Sequence, residues 1–152
     1  MRILVDADAC PVKEILVAEA KKRGLPVVMV IDTSHVLGDG YSTVITVDKG
    51  RDSADIKLAN LMEPGDVVVT QDFGVAAMAL GKGCRALNQN GLIFTAENMD
   101  RLLFERHVGQ RVRRAGKRTK GPQKRTDAED EAFRRALLVL LENAGNDEGG
   151  NM

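Results

Sequence analysis

Five aspartates in this chain stand where a carboxylate could do chemistry. Asp6 closes the apolar run Ile3-Leu4-Val5, and Asp8 follows two residues later. Asp72 comes just after Val67-Val68-Val69-Thr70. Asp52 and Asp55 open a helical pattern three residues apart, a spacing that puts both on one helix face. Carboxylates brought together repel unless a cation sits among them. An all-oxygen donor set suits a hard divalent ion, so Mg²⁺ or Mn²⁺ is the expected cofactor. The expected ligands are Asp6, Asp8, Asp52, Asp55 and Asp72, with Asp6, Asp8, Asp55 and Asp72 as the catalytic set. The Thr70 hydroxyl, two residues before Asp72, can orient a phosphate or another ligand.

Each of these residues also has a plainer role open to it. Asp52 and Asp72 are good helix caps, with Ser53 a rival at the first position. Asp8 suits a turn. Asp6 is hardest to explain away, because aspartate is almost never fully buried without a partner. Asp32, Asp39, Asp48 and Asp66 read as loop residues. Cys10 precedes a helix and reads as a small packing residue, and Lys13 as a solvated cation. His35 and His107 show no partner spacing, and with two cysteines they match no zinc pattern.

The elements around the aspartates must hold them at one place. Residues 2–6, 26–31, 43–47, 67–70 and 84–88 are short runs rich in Val, Ile and Leu, read as buried strands. Helical patterns lie between them: from Pro11 to about Arg23, from Asp52 to the Pro64-Gly65 break, over about 74–82, and from the Thr95 cap to about Arg114. Strand and helix alternate, which predicts an α/β fold of three layers, a parallel sheet of about five strands with helices on both faces. Ligands of such sheets bind at the carboxyl ends of the strands, where the strand order reverses. The aspartates fall at those ends.

Residues 1–115 form the predicted α/β domain and 116–125 a basic linker. Thr126-x-x-Glu129 is a capping box that starts a last helix, expected over 126–144. Its stripe of Phe133, Ala136, Leu137, Leu140 and Leu141 must bury against the domain or against a second copy, so a homo-oligomer through this helix is one expectation. Residues 145–152 read as a disordered tail.

A net charge of zero hides segregation of charge. Residues 106–125 carry nine Lys or Arg and no acid, whereas the flanking stretches are both net acidic. An anionic partner at that segment follows. Aromatic residues make up only 3% of the chain, which argues against a base-stacking platform. No signal-like or membrane-spanning run is present, so a cytoplasmic protein with reduced cysteines is expected.

The stretch Val5-Asp6-Ala7-Asp8-Ala9-Cys10-Pro11-Val12-Lys13 resembles the hallmark of the YaiI/YqxD-like family of uncharacterised bacterial proteins. Asp52-Ser53-Ala54-Asp55, Thr70-Gln71-Asp72 and the Asn88–Gly91 turn fit the same family, over roughly residues 1–115. That family is grouped with PIN-like and NYN-like domains, among which are metal-dependent ribonucleases. The resemblance implies a PIN-like fold, with Asp6, Asp52 or Asp55, and Thr70 with Asp72 at the functional positions. A further acid found in many PIN nucleases has no clear match, and Asp8 is a candidate to substitute for it.

Together these readings predict a metal-dependent nuclease acting on RNA. Asp6 and Asp72 would bind metal directly, while Asp8 and Asp55 hold a second ion or orient water. Arg113, Arg114, Lys117 and Arg118 would grip the RNA backbone without reading its sequence. Two alternatives differ in kind. One is a HAD-like phosphatase with Asp6 as nucleophile and Asp8 as acid. The other is a non-catalytic RNA-binding module on a PIN-like scaffold.

Overall fold

The computed structural model of the chain describes residues 1–8, 10–32, 38–48, 53–114 and 124–150, and the side chains of 106, 110–114 and 144–150 fall outside that description. The strands are β1 (Ile3–Asp6), β2 (Val27–Asp32), β3 (Thr43–Val47), β4 (Val67–Val69), β5 (Arg85–Leu87) and β6 (Ile93–Phe94). The helices are α1 (Lys13–Arg23), α2 (Ala54–Leu61), α3 (Phe73–Gly81), α4 (Ala96–Arg114) and α5 (Asp127–Gly150).

The described strands form one sheet in the order β3-β2-β1-β4-β5-β6. All pairings are parallel except β5 with β6, which is antiparallel. The sixth strand is the short run after the Asn90-Gly91 turn. Two residues are too few to show an alternating pattern, so the sequence predicts about five strands.

Side chains alternate across the sheet and build two cores. Ile3 and Val5 face α1 and α5, together with Leu16, Ala20, Phe133 and Leu137. Leu4 and Val68 face the other way, toward Leu58 of α2, Val75 and Ala79 of α3 and Met99 of α4. The expected three-layer α/β architecture is therefore present.

The predicted boundaries shift by a residue or two. Pro11 and Val12 form a turn, and α1 starts at Lys13 rather than at the proline. Gly24 closes α1 in the left-handed conformation, its N–H bonding to the Lys21 carbonyl. Thr95 caps α4 as expected. Its hydroxyl accepts from the Asn98 N–H at 3.1 Å, and the Asn98 side chain accepts from the Thr95 N–H at 2.8 Å.

The last helix docks on the domain. The capping box forms, with Glu129 accepting from the Thr126 N–H at 3.1 Å and Thr126 accepting from the Glu129 N–H at 3.3 Å. Phe133 and Leu137 are fully buried, and Leu140 and Leu141 nearly so. Burying each such side chain is worth roughly 1.5–3 kcal/mol. The apolar stripe is thus covered within the chain, and pairing of two copies through α5 would have to use the other face, where Val139 is exposed. The helix also runs to Gly150, past residue 144 where the sequence pattern ends it.

No helix among the described residues is long and apolar enough to cross a membrane. Cys10 and Cys84 are separate buried thiols.

Candidate functional site

The chain leaves β1 toward β2 and β3 on one side, then returns through α2 to place β4 on the other. The carboxyl ends of β1 and β4 therefore flank the switch point of the sheet. Val5 pairs with Val69, so the next residues, Asp6 and Thr70, stand side by side. Thr70 is buried, and its hydroxyl donates to Asp6 Oδ2 at 3.1 Å. The Thr70 hydroxyl oxygen in turn accepts from the Asp72 N–H at 3.0 Å. One threonine thus ties the half-buried Asp6 carboxylate to the loop that carries Asp72.

Asp72 itself caps α3. Its Oδ1 accepts from the N–H of Gly74 at 2.7 Å and of Val75 at 3.1 Å. A Cβ at Gly74 would come within 3.0 Å of that oxygen. The capping role anticipated for Asp72 is real, and it engages Oδ1.

Asp8 is half-buried, and its Oδ2 accepts from the Asp32 N–H at 3.1 Å, tying the loop after β1 to the end of β2. Asp32, expected in a loop, instead ends β2 and is buried. Asp55 is exposed in the first turn of α2, where Ser53 occupies the cap position. Its carboxyl lies below the ordinary range, chiefly through a hydrogen bond from Ser53.

Asp6 responds to this setting. Burial pushes its carboxyl above the ordinary value, the Thr70 hydrogen bond opposes that, and the charges of Asp72, Asp8 and Asp55 add to the rise. The fold thus brings Asp8, Asp55 and Asp72 within electrostatic reach of Asp6. Among the described residues, however, no three His, Cys, Asp or Glu side chains converge into a closed metal site. Asp52, Lys117, Arg118 and His35 lie outside the described residues, as do the side chains of Arg113 and Arg114 on α4.

Asp6 and Thr70 line a small crevice of about 10 Å³ with Cys10, Val69, Gln71 and Gln89. The two glutamines escaped the sequence reading. They are hydrogen-bonded to each other across 18 residues of chain, and only the tertiary fold brings them together. Burial pushes the Cys10 thiol up, in keeping with a packing residue. A larger groove of about 420 Å³ runs along α1, lined by Lys13, Val17, Lys21, Met29 and Asp39 among others, but it contains none of the candidate aspartates.

Asp66 serves a different purpose. It is buried at the entry to β4, accepting from the Arg2 guanidinium at 2.9 Å and from the Glu63 N–H at 3.0 Å. The pair pins the amino ends of β1 and β4, at the far edge of the sheet from Asp6.

Comparison with known proteins gives relatives along nearly the whole chain. A UPF0178 protein of Ruminiclostridium cellulolyticum is 67% identical over 141 residues, covering 93% of this chain and 92% of the relative. A UPF0178 protein of Alkaliphilus oremlandii is 53% identical over 142 residues, with the same coverage of both chains. A solved structure of Rae1 (YacP) from Bacillus subtilis aligns over 88% of this chain and 91% of its own, at 18% identity and a TM-score of 0.45. The family model described as "Uncharacterized BCR, YaiI/YqxD family" matches residues 4–143, and with these relatives it establishes that the chain belongs to that family.

Proposed function

We propose that this protein is a divalent-metal-dependent nuclease acting on RNA, with its reaction centre in the crevice between the ends of β1 and β4. One observation carries the reading: Thr70 holds the half-buried Asp6 carboxylate at the switch point and ties it to the loop of Asp72, and the charges of Asp72, Asp8 and Asp55 add to the rise that burial gives it. Such mutual repulsion at a ligand-binding position is what a cation relieves.

The donors fit a hard ion, since every candidate is a carboxylate oxygen. That three of them do not converge is compatible with Mg²⁺, which binds through one or two carboxylates, several waters and the substrate's own phosphate. Asp6 and Asp72 are the proposed ligands, Asp72 through the oxygen not used in capping. Asp8, Asp52 and Asp55 are assigned to a second ion or to water. When bound, the ion supplies stabilisation of charge on the scissile phosphate. Thr70 keeps the Asp6 carboxylate oriented, and Arg113, Arg114, Lys117 and Arg118 supply the grip on the RNA backbone.

A phosphatase with Asp6 as nucleophile needs a second acid pair near it, and the Gly65-Asp66 step is the place to seek one. Asp66 is instead committed to Arg2 at the opposite edge of the sheet. That disposition favours the nuclease.

The test is cleavage of end-labelled single-stranded RNA in Mg²⁺, Mn²⁺ and EDTA. The nuclease reading expects cutting by wild type only with metal, and none by Asp6→Asn. RNA bound tightly but left intact in Mn²⁺ would instead establish a non-catalytic binding module. Tight binding of beryllofluoride without cleavage would favour the phosphatase.

A further inference from the structure

Two cations are hydrogen-bonded to backbone beside the candidate aspartates and the crevice: Lys13 to the Ala7 carbonyl and Arg125 to the Gln89 carbonyl. Lys13 opens α1, and its ammonium donates to the carbonyl of Ala7 at 3.3 Å, the residue between Asp6 and Asp8. Arg125 comes from the other end of the chain. Its guanidinium donates to the Gln89 carbonyl at 2.5 Å, to Asn90 Oδ1 at 2.8 Å and to Asp130 at 2.5 Å. Gln89 is itself a wall of the crevice. The charges of both cations reach the Cys10 thiol in that crevice, opposing the rise caused by its burial.

Arg125 is also held in place from behind. Thr126 follows it directly, and the Thr126–Glu129 box fixes the chain there. The α5 backbone lies so close to the β5–β6 turn that a Cβ on Gly91 would meet the Ala132 carbonyl at 2.5 Å. A side chain fixed this way is preorganised. Arg125 uses three of its five N–H donors on these partners, leaving two for an anion. Its planar fork suits a phosphate, and Lys13 adds a point charge beside the loop that carries Asp6 and Asp8.

We propose that Lys13 and Arg125 are a phosphate-holding pair that seats an RNA phosphodiester beside the aspartates; this rests on the nuclease reading of the same site. A phosphate approaching Asp6, Asp8 and Asp72 meets repulsion, which these two cations offset.

The rival is a purely structural Arg125 that only latches α5, and salt dependence separates the two roles. Binding of fluorescein-labelled single-stranded RNA is measured in EDTA over a series of salt concentrations. The proteins are wild type, Lys13→Gln, Arg125→Gln, Arg125→Lys and Lys82→Gln, whose lysine lies beyond the far end of α3. Losing one phosphate contact lowers the magnitude of the log–log salt slope by about 0.7. Lys13→Gln and Arg125→Gln should each show that drop, whereas Lys82→Gln should keep the wild-type slope. Arg125→Lys keeps its charge, so its slope should match wild type even where its melting temperature falls. A latch alone would lower the melting temperature of both Arg125 variants and leave every slope unchanged. Wild-type slopes in Lys13→Gln and Arg125→Gln would overturn the pair while leaving the nuclease reading intact. Wild type binding no RNA at low salt would overturn the pair, while the cleavage assay in Mg²⁺ and Mn²⁺ judges the nuclease reading separately. If Arg125→Gln does not fold, Lys13→Gln decides, and an unchanged slope there overturns the pair.

Discussion

Alanine at Gly91 should destabilise the protein far more than alanine at Gly65, although the two glycines have nearly the same backbone. Their φ angles are +86° and +92°, so a Cβ strains both, at a cost of roughly 1–2 kcal/mol. Beyond that they differ. Nothing lies within 4 Å of a Cβ at Gly65, while at Gly91 it meets Ala132 O at 2.5 Å, Ala132 C at 2.7 Å and Phe133 N at 3.1 Å. These are backbone atoms of α5, so relief requires moving a helix whose Phe133 and Leu137 are fully buried. Overpacking of this kind adds about 1–3 kcal/mol. Gly91→Ala should therefore cost about 2–5 kcal/mol and Gly65→Ala about 1–2 kcal/mol. Urea unfolding reads the difference, provided the denaturant slope stays that of wild type. Equal costs at the two positions would refute the docking of α5 on the β5–β6 turn, and with it the placement of Arg125 at the crevice.

Asp6→Asn should stabilise the metal-free protein at neutral pH. A carboxyl raised above its ordinary value stabilises the fold only while protonated, so wild type loses stability as pH rises from about 3.8 through the raised value. Asn cannot ionise and still accepts from Thr70, so the gap between the proteins should open across that window and then stay constant. Water screens a half-buried carboxyl, which keeps the gap small; urea midpoints from pH 3 to 7 measure it, and a gap that is flat or closes with pH contradicts the assignment. Asp72→Ala should cost about 1 kcal/mol in thermal or urea unfolding through loss of the α3 cap, while Asp72→Asn, itself a good cap, should cost little; equal losses would mean that the charge rather than the cap holds the helix. Changing Arg113, Arg114, Lys117 and Arg118 together to Ala should flatten the salt dependence of RNA binding, and an unchanged slope would remove the basic segment from the interface.

The core strands were legible because residues 3–5, 27–31 and 67–69 are apolar on both faces, as strands buried in a parallel sheet must be. The grouping of Asp6, Thr70 and Asp72 was legible for a related reason, since strands that end at a switch point bring their carboxyl ends together. Pairings over long sequence distance were not. Arg2 and Asp66 stand 64 residues apart, and nothing local distinguishes Asp66 from a loop acid. Gln71 and Gln89 are ordinary polar residues until β4 and β5 place them together. The stripe on α5 declared that it must be buried but not against what, because an apolar helix face fits a neighbouring core or a second copy equally well. Arg125 looked like one more cation in a basic run, and only its fit to the Gln89 carbonyl sets it apart.

The central claim, that the aspartates at the ends of β1 and β4 hold a divalent ion, is tested most directly by calorimetric titration of Mn²⁺ into metal-free protein. Wild type should give a saturable binding isotherm. Asp6→Asn should lose it while remaining folded, and Asp72→Asn should weaken it even though its cap is retained. Identical isotherms for wild type and Asp6→Asn, or no saturable binding by wild type, would contradict the account.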